Sequence, residues 1–272
     1  MRADERRTVH TQFAPEWLAL RERADATARS EGLLDTLRDH LDGPLVVRDL
    51  GCGTGSMGRW LAPRLPNPQH WILTDRDLGL LRRAASSLPV PAVTVQRDIT
   101  ELTAADLAGT SLVTGSALLD LLTADEVEHL AEACVRAGLP ALLTLSVSGR
   151  VELDPADPLD GEVAAAFDAH QRRTVEGRAL LGPDAVAATA AAFERRGATV
   201  HRRPSPWQLG PADAALTGQW LTGWVGAAAE QEPDLDLAGY LDRRRAACAA
   251  GELRAVVHHE DLLALPDISA AR

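Results

Sequence analysis

A glycine-rich loop follows the first apolar segment of the chain and has the spacing of a loop that binds a nucleotide. Gly51, Gly53, Gly55 and Gly58 lie in the segment DLGCGTGSMG. Glycine lets the backbone approach a ligand closely, and the N-terminus of a following helix favours a negatively charged group. Two spacings overlap: GxGxG with Asp49 two residues before it, and GxGxxG, which is typical of dinucleotide-binding loops. The loop predicts a nucleotide cofactor in either register.

Three features favour the GxGxG register. Asp49 precedes the first glycine by two residues, and Asp75 and Asp98 end the next two apolar segments. The chain also ends in a candidate strand pair and contains no second nucleotide-binding half. Simpler interpretations stay open, because Asp75 could cap a helix, Asp98 could be a turn residue and Asp49 could be a solvent-facing strand end.

Other polar side chains could serve chemistry or binding. Asp120 and His170 are candidate general bases, and Gln171, next to His170, is a candidate substrate contact. Arg21 and Arg29 lie eight residues apart in a predicted N-terminal helix and could each bind a carboxylate of the cofactor through two hydrogen bonds. A helix cap, a surface histidine and a solvated helix face are the corresponding simpler interpretations.

The aromatic and histidine residues of the C-terminal half have structural as well as functional interpretations. Trp207 could form a wall of the substrate pocket or fill the core. The stripe of Leu216, Trp220 and Trp224 at spacing four indicates helix packing. His258 and His259 are adjacent on a predicted strand, so they point to opposite faces and cannot easily chelate one metal ion. We therefore predict no metal site.

The elements that must position these residues alternate between strands and helices. The capping box Thr123–Glu126 begins the clearest helix, whose apolar stripe includes Val127 and Leu130. Alternation of this kind predicts a mostly parallel sheet covered by helices on both faces, with ligands at the carboxyl ends of its strands. The predicted strands cover about 45–49, 70–74, 92–96, 111–114, 141–146, 198–202 and 254–265, and the stretch 154–160 reads as a loop.

Composition limits the classes of partner. The formal net charge is −11 in 272 residues, which argues against a nucleic-acid or anionic-membrane surface. Three cysteines without a CxxC pair predict a reducing cytoplasm. The charged N-terminus lacks the apolar segment of a secretory signal, and no apolar run reaches the roughly 20 residues of a membrane span. We expect a monomer or homodimer.

With these motifs in order, the sequence resembles the class I S-adenosylmethionine (SAM) methyltransferases. Residues 49–55 match the family's first motif, and Asp75 matches the acid that binds the ribose hydroxyls. Asp98 and Ile99 match the position that meets adenine, and Ser116–Leu122 resembles the motif near the transferred methyl group. The resemblance implies a cofactor site formed by Asp49, Gly51, Cys52, Gly53, Gly55, Asp75, Arg76, Asp98, Ile99 and Ser116, to which we add Arg21 and Arg29.

The resemblance implies a Rossmann-like α/β fold: a doubly wound, mostly parallel, seven-stranded sheet with an antiparallel last strand. We divide the chain into an N-terminal helical cap (1–44) and a SAM-binding domain (45–272), with helical insertions at about 149–182 and 204–253. Two departures stand out. Thr110-Ser111 replaces an acid that many members carry, and the chain lacks an NPPY-type tetrapeptide, which disfavours methylation of amino groups in nucleobases or glutamine.

The expected function is methyl transfer from SAM to an oxygen, nitrogen or carbon atom of a small molecule, in bacterial secondary metabolism. A catalytic triad is not expected, because the cofactor carries the difficult chemistry. Two alternatives remain. One is an NAD-dependent oxidoreductase that uses the loop Gly53–Gly58, although the chain has no lysine for a Tyr-x-x-x-Lys pair. The other is a protein of the same fold that binds SAM without catalysis.

Overall fold

The computed structural model describes residues 14–267 and is built on one sheet of eight strands. Seven strands lie in the order β3-β2-β1-β4-β5-β10-β8, and β9 pairs with part of β10. A separate hairpin joins β6 and β7. The strands are β1 Leu45–Leu50, β2 Gln69–Asp75, β3 Ala92–Gln96, β4 Leu112–Ser116, β5 Ala141–Asp154, β6 Thr174–Val175, β7 Arg178–Ala179, β8 Thr199–Pro204, β9 Trp207–Leu209 and β10 Arg254–Leu265.

Helices cover both faces of the sheet. Leu130 of α5 and Phe193 of α7 pack in the core on one face. Leu37 of α2 and Trp60 of α3 pack in the core on the other face. The α-helices are α1 Pro15–Ala28, α2 Glu31–Arg38, α3 Ser56–Leu61, α4 Leu78–Ser87, α5 Ala124–Arg136, α6 Asp160–Gln171, α7 Ala185–Glu194, α8 Ala214–Gln231 and α9 Ala238–Ala249. Short 3-10 turns join several of them. Among residues 14–267, no helix has both the length and the apolar character needed to cross a membrane.

The predicted doubly wound sheet with an antiparallel last strand is confirmed. Strands β1 to β5 pair in parallel, and β10 runs antiparallel to both β5 and β8. The prediction of seven strands was one too few, because the three-residue strand β9 adds to β10. So short an edge strand has no periodicity that would reveal it in the sequence.

Strand β5 is longer than predicted. The sequence indicated a strand that ends near 146 and a loop from 154, but β5 continues to Asp154 and pairs with β10 up to Arg254. Its burial pattern changes at this point: residues 141–146 are buried throughout, whereas residues 147–154 are only partly covered. The second half of β5 therefore lacks the apolar run that marks the first half. It is a strand because it pairs with β10.

The extended ends of β5 and β10 carry an outer helical layer, which we define as α1, α6, α8 and α9. Val257 of β10 packs in the same core cluster as Val163, Leu221 and Tyr240 of these helices. Trp220 and Trp224 stack with ring centroids 5.2 Å apart, as the packing interpretation of their stripe predicted. This layer packs against the second half of β5, at the edge of the sheet where β1, β2 and β4 also end.

Helix α1 lies directly over the glycine loop. Glu22 of α1 accepts two hydrogen bonds of 2.7 Å each from the guanidinium of Arg59 on α3. A Cβ added to Gly53 would lie 3.3 Å from Leu18 Cδ1. The sequence predicts an N-terminal helix over about 14–40 with a possible break midway, and the structure contains this break: α1 ends at Ala28, and Ser30 caps α2 by accepting from Leu33 N at 3.3 Å.

The capping box of α5 supplies a test of the fold. Thr123 Oγ1 accepts a 3.3 Å hydrogen bond from Glu126 N, and Glu126 Oε2 accepts one of 2.9 Å from Thr123 N. We expect Thr123→Ala to lower the free energy of unfolding by about 1 kcal/mol, because an N-terminal N–H loses its acceptor. Urea denaturation measures the change. Thr27→Ala, at an exposed hydroxyl within α1, is the control and should change stability by under about 0.5 kcal/mol. Equal effects of the two changes would contradict the capping role.

Candidate active site

The glycine loop that joins β1 to α3 needs glycine at three positions. Gly51, Gly53 and Gly55 have φ values of +59°, +53° and +86°, a region that residues with a side chain rarely occupy. Space is also limited, since a Cβ at Gly51 would lie 3.0 Å from Leu118 and one at Gly55 would lie 3.1 Å from Ala84. The loop therefore presents its backbone, at the carboxyl edge of the sheet, to whatever binds there.

Asp75, at the end of β2, shapes this loop. Its Oδ2 accepts a 2.9 Å hydrogen bond from Gly53 N, and its Oδ1 accepts one of 2.9 Å from Asp77 N. The side chain is buried. Each carboxylate oxygen has a second lone pair, so the group can still accept from a ligand hydroxyl. Asp77, and not Asp75, caps α4, because its side chain accepts from Gly79 and Leu80.

Asp49, near the end of β1, is fully buried beneath the loop. Its Oδ1 accepts a 2.8 Å hydrogen bond from Thr114 Oγ1, and its Oδ2 has no protein partner among the described residues. Burial raises the pKa of Asp49 to about 7, and the hydrogen bond from Thr114 and the charge of Arg29 oppose this shift. The alternative of a solvent-facing strand end is wrong for this residue.

Arg29 lies in the break between α1 and α2, and its guanidinium reaches the end of β4 and the start of α3. Its Nη2 donates to Ser116 Oγ at 3.1 Å and to Ser56 Oγ at 3.4 Å. Its Nε and Nη1 are buried without a partner in the described chain. Desolvation lowers the pKa of Arg29. The charges of Asp25, Asp261 and Asp49 partly offset this lowering, although none of the three makes a direct ion pair with Arg29. An almost fully buried guanidinium with two free donors is costly unless a ligand completes it.

A second buried carboxylate fixes the place of Arg29. Asp261 of β10 accepts from Ser30 N at 2.7 Å and from Leu145 N at 2.8 Å. Leu145 has a φ of +57°, and the pairing of β5 with β10 shifts register beside it. The side chain of Asp261 thus joins the start of α2 to the irregular part of β5. Because Arg29 precedes Ser30 in the chain, this contact also fixes the backbone position of Arg29.

Arg21 is held by a different set of groups. Its Nε donates to Asp25 Oδ2 at 2.9 Å, and its guanidinium stacks on Trp207 with 5.1 Å between Cζ and the ring centroid. Trp207 Nε1 donates to Asp25 Oδ1 at 3.0 Å. Trp17 packs edge-on against Trp207, and the ring of His259 lies 5.1 Å from it. Trp207 is buried, so it fills the space between α1 and β10.

Asp120 lies in the loop after β4 and has no side-chain hydrogen bond to another described residue. Burial raises the pKa of Asp120, and the charges of Arg21 and Arg173 partly oppose this. His170 makes a 3.1 Å contact from Nε2 to Glu230 and another of 3.1 Å from Nδ1 to Arg173 Nη1. His170 therefore lies near the end of α6 and contacts α8.

The remaining predicted positions lie nearer the surface or inside the loop. Asp98 is exposed and caps a 3-10 turn by accepting from Thr100. Burial alone would raise the pKa of Asp98, but these hydrogen bonds and the charges of Arg76 and Arg178 lower it. Cys52 is buried, and desolvation raises the pKa of its thiol. Three further positions are placed as follows: Arg76 is exposed, Ile99 packs against the core, and Gln171 has a buried Oε1 without a protein partner in the described chain.

Several residues of the site were not singled out from the sequence. Asp25 and Asp261 join α1 and β10 to the site, and Ser56 and Arg173 contribute contacts at its edges. Asp261 left one signal, since it is an acid on a strand face otherwise occupied by buried residues. Asp25 follows Arg21 by four residues, the spacing of a helical ion pair. Within the described residues, no three His, Cys, Asp or Glu side chains come together as a metal-binding group.

The order of this sheet, with a glycine loop after β1, buried acids on β1 and β2 and an antiparallel last strand, defines the class I SAM-dependent methyltransferase fold. Residues 47–140, about a third of the chain, match the family model described as a methyltransferase domain. SAM is the cofactor of this class. No curated protein matches the chain in sequence.

Solved structures resemble the chain only distantly. A SAM-dependent methyltransferase from Geobacter sulfurreducens, in complex with S-adenosyl-L-homocysteine, is 16% identical with a TM-score of 0.45, covering 93% of this chain and 99% of that one. The cyclopropane synthase MmaA2 from Mycobacterium tuberculosis is 11% identical with a TM-score of 0.47, covering 86% and 83%. Likenesses of this size identify no acceptor and no single residue.

The buried carboxyl of Asp49 predicts a pH-dependent stability. Its folded pKa of about 7 lies above the ordinary value of 3.8, so the folded protein holds a proton that the unfolded chain releases between these values. Its stabilising contribution is present at low pH and is lost as pH rises towards 7. We expect Asp49→Asn to gain stability relative to the wild type by about 2 kcal/mol between pH 5 and pH 8.

Urea denaturation at both pH values measures this difference. Asp42→Asn changes an exposed carboxylate and should follow the wild type at every pH. A difference between Asp49→Asn and the wild type that stays constant with pH would contradict a titration of Asp49 near neutrality.

Proposed function

We propose that the chain transfers a methyl group from SAM to a small molecule that binds between the glycine loop and the outer helical layer. The observation that carries the proposal is Arg29. Its guanidinium is buried at the sheet edge beside Ser116 and Ser56 and keeps two donors without a partner in the described chain. Nε and Nη1 lie on different edges of the guanidinium, and an anionic oxygen such as that of a carboxylate would satisfy a buried donor at either edge. The methionine part of SAM carries a carboxylate.

The residues around the loop fit the rest of the cofactor. Gly51, Gly53 and Gly55 provide a surface without side chains, and the free lone pairs of Asp75 suit the ribose hydroxyls. Asp49 Oδ2, unpartnered and close enough to Arg29 to affect its pKa, suits a cationic group next to the carboxylate. We keep Asp98 and Ile99 at the adenine end as the resemblance implies. Asp98 caps a turn there with one oxygen.

The chemistry divides between the cofactor and the chain. SAM supplies a methyl group on a positively charged sulfur, and an acceptor atom takes it in an in-line displacement. The chain must align the acceptor and exclude water. Where the acceptor atom arrives protonated, Asp120 accepts the proton, since it follows β4 and has no partner that competes for it. His170 is the weaker candidate, because Glu230 and Arg173 already contact both ring nitrogens.

A small-molecule acceptor is favoured over a macromolecule. The chain carries a net charge of −11, and the outer helical layer covers the edge of the sheet. A polyanion would be repelled by this charge, and a long polymer needs an open groove. The oxidoreductase alternative has no support from the match over residues 47–140, which includes the whole glycine loop.

Calorimetry with three ligands tests the cofactor. We expect the wild type to bind S-adenosylhomocysteine and 5′-methylthioadenosine, which lacks the amino-acid part, and not NAD. Arg29→Gln should lower the affinity for S-adenosylhomocysteine about 10- to 100-fold, because charge-assisted hydrogen bonds are lost. The affinity for 5′-methylthioadenosine should stay within about threefold of the wild-type value. Arg38→Gln, an exposed arginine of α2, is the control. Preference for NAD, or equal loss of both nucleosides, would refute the assignment.

Asp75 gives a contrasting expectation. The ribose is common to both nucleosides. Asp75→Ala should therefore weaken the binding of S-adenosylhomocysteine and of 5′-methylthioadenosine by the same binding free energy, about 1–3 kcal/mol. Circular dichroism establishes whether the variant is folded, since Gly53 and Asp77 lose their acceptor. Unchanged affinities in a folded variant would remove Asp75 from the cofactor site.

A further inference from the structure

A buried threonine on β5 contacts the serine to which Arg29 donates. Thr144 Oγ1 lies 3.1 Å from Ser116 Oγ and 3.9 Å from Met57 Sδ, and the Thr144 side chain is buried. A thioether sulfur is a weak acceptor, so the hydroxyl of Thr144 donates to the oxygen of Ser116. The proposed function gives Thr144 no role.

The hydroxyl hydrogen of Ser116 is left free by these contacts. Ser116 Oγ accepts from Arg29 Nη2 at 3.1 Å as well as from Thr144 Oγ1. A hydroxyl group has two lone pairs and one hydrogen, so both lone pairs are occupied. No side chain or carbonyl of the described chain accepts the hydrogen. Because Ser116 is only partly buried, at the end of β4, a ligand can reach this hydrogen beside Arg29.

The backbone and a buried indole hold this arrangement independently of the threonine hydroxyl. Ser116 and Thr144 are opposite each other in the pairing of β4 with β5, and Ala117 N donates to Thr144 O at 2.9 Å. The guanidinium of Arg29 stacks on Trp60, with 5.4 Å between Cζ and the ring centroid. Removal of the Thr144 hydroxyl alone should therefore leave the strands and Arg29 in place.

We propose that the hydroxyl of Ser116 donates a hydrogen bond to the cofactor carboxylate beside Arg29, and that Thr144 is the positioning residue that directs this hydrogen towards the ligand. The hydrogen bond from Thr144 occupies the lone pair that the hydroxyl would otherwise turn aside, and it polarises the O–H bond of Ser116, which makes that group a stronger donor. Without it, the hydroxyl of Ser116 rotates more freely. This inference rests on the proposed function, which supplies the carboxylate.

Calorimetry with two ligands tests the role of Thr144. S-adenosylhomocysteine carries the carboxylate, whereas its decarboxylated analogue keeps the amino group and lacks the carboxylate. Thr144→Val keeps the shape of the side chain and removes the hydroxyl. We expect it to lower the affinity for S-adenosylhomocysteine about 3- to 10-fold and to leave the affinity for the analogue within about twofold. Thr144→Ser keeps a hydroxyl and should bind both ligands within about twofold of the wild type.

A double-mutant cycle separates positioning from a general structural effect. Ser116→Ala removes the donor itself, so adding Thr144→Val to it should cause almost no further loss of affinity for S-adenosylhomocysteine, whereas two independent effects would multiply. Thr189→Val is the matched control. Thr189 of α7 is also buried, and its hydroxyl donates to Ala185 O at 2.7 Å within its own helix. This control should change neither affinity.

Any of four results overturns the proposal: an unchanged affinity of Thr144→Val for S-adenosylhomocysteine, an equal loss for both ligands, no recovery in Thr144→Ser, or losses that multiply in the double variant. Circular dichroism establishes whether each variant is folded. Should Thr144→Val not fold, Thr144→Cys has a weaker donor and should lower the affinity for S-adenosylhomocysteine alone. A wild type that binds no S-adenosylhomocysteine refutes the proposed function, and this inference falls with it. The four results above refute this inference alone.

Discussion

The site depends on the buried carboxylate of Asp261, which makes no ion pair within the described part of the chain. Asp261 accepts two backbone N–H groups from parts of the chain that are far apart in sequence, Ser30 and Leu145. A buried charge is tolerated only where hydrogen bonds replace its hydration. Both segments must therefore keep their positions for the protein to fold. Because Ser30 starts α2, this requirement fixes the break after α1 and places Arg29 under the outer helical layer, where its side chain reaches the end of β4.

Much of the fold was predictable because it rests on short-range patterns. The apolar runs at 45–49 and 70–74, the glycine loop and the capping box at Thr123 indicated the alternating strands and helices, and the structure confirms them. Strand β9 and the second half of β5 were not predictable, because neither carries a periodic apolar pattern. They form by pairing with β10, which lies about a hundred residues later than β5 in the chain.

The sequence indicated the cofactor end of the site better than the acceptor end. Asp49 and Asp75 follow strands in a fixed order, so their positions could be inferred from topology alone. Arg21 and Arg29 were both expected to reach the cofactor because they lie eight residues apart, roughly on one face of the predicted N-terminal helix. The helix ends between them, which sends the two guanidinium groups to different neighbours: Ser116 for Arg29, and Asp25 with Trp207 for Arg21.

The position of α1 over the glycine loop has a kinetic consequence. Leu18 lies close to Gly53, where an added Cβ would be 3.3 Å from its Cδ1, and the contact between Glu22 and Arg59 holds the helix there. On the proposed function, a nucleoside bound at this backbone would leave faster where the contact between α1 and α3 is weakened. The Glu22–Arg59 ion pair is partly exposed, so salt would screen it and the dissociation rate would rise with ionic strength.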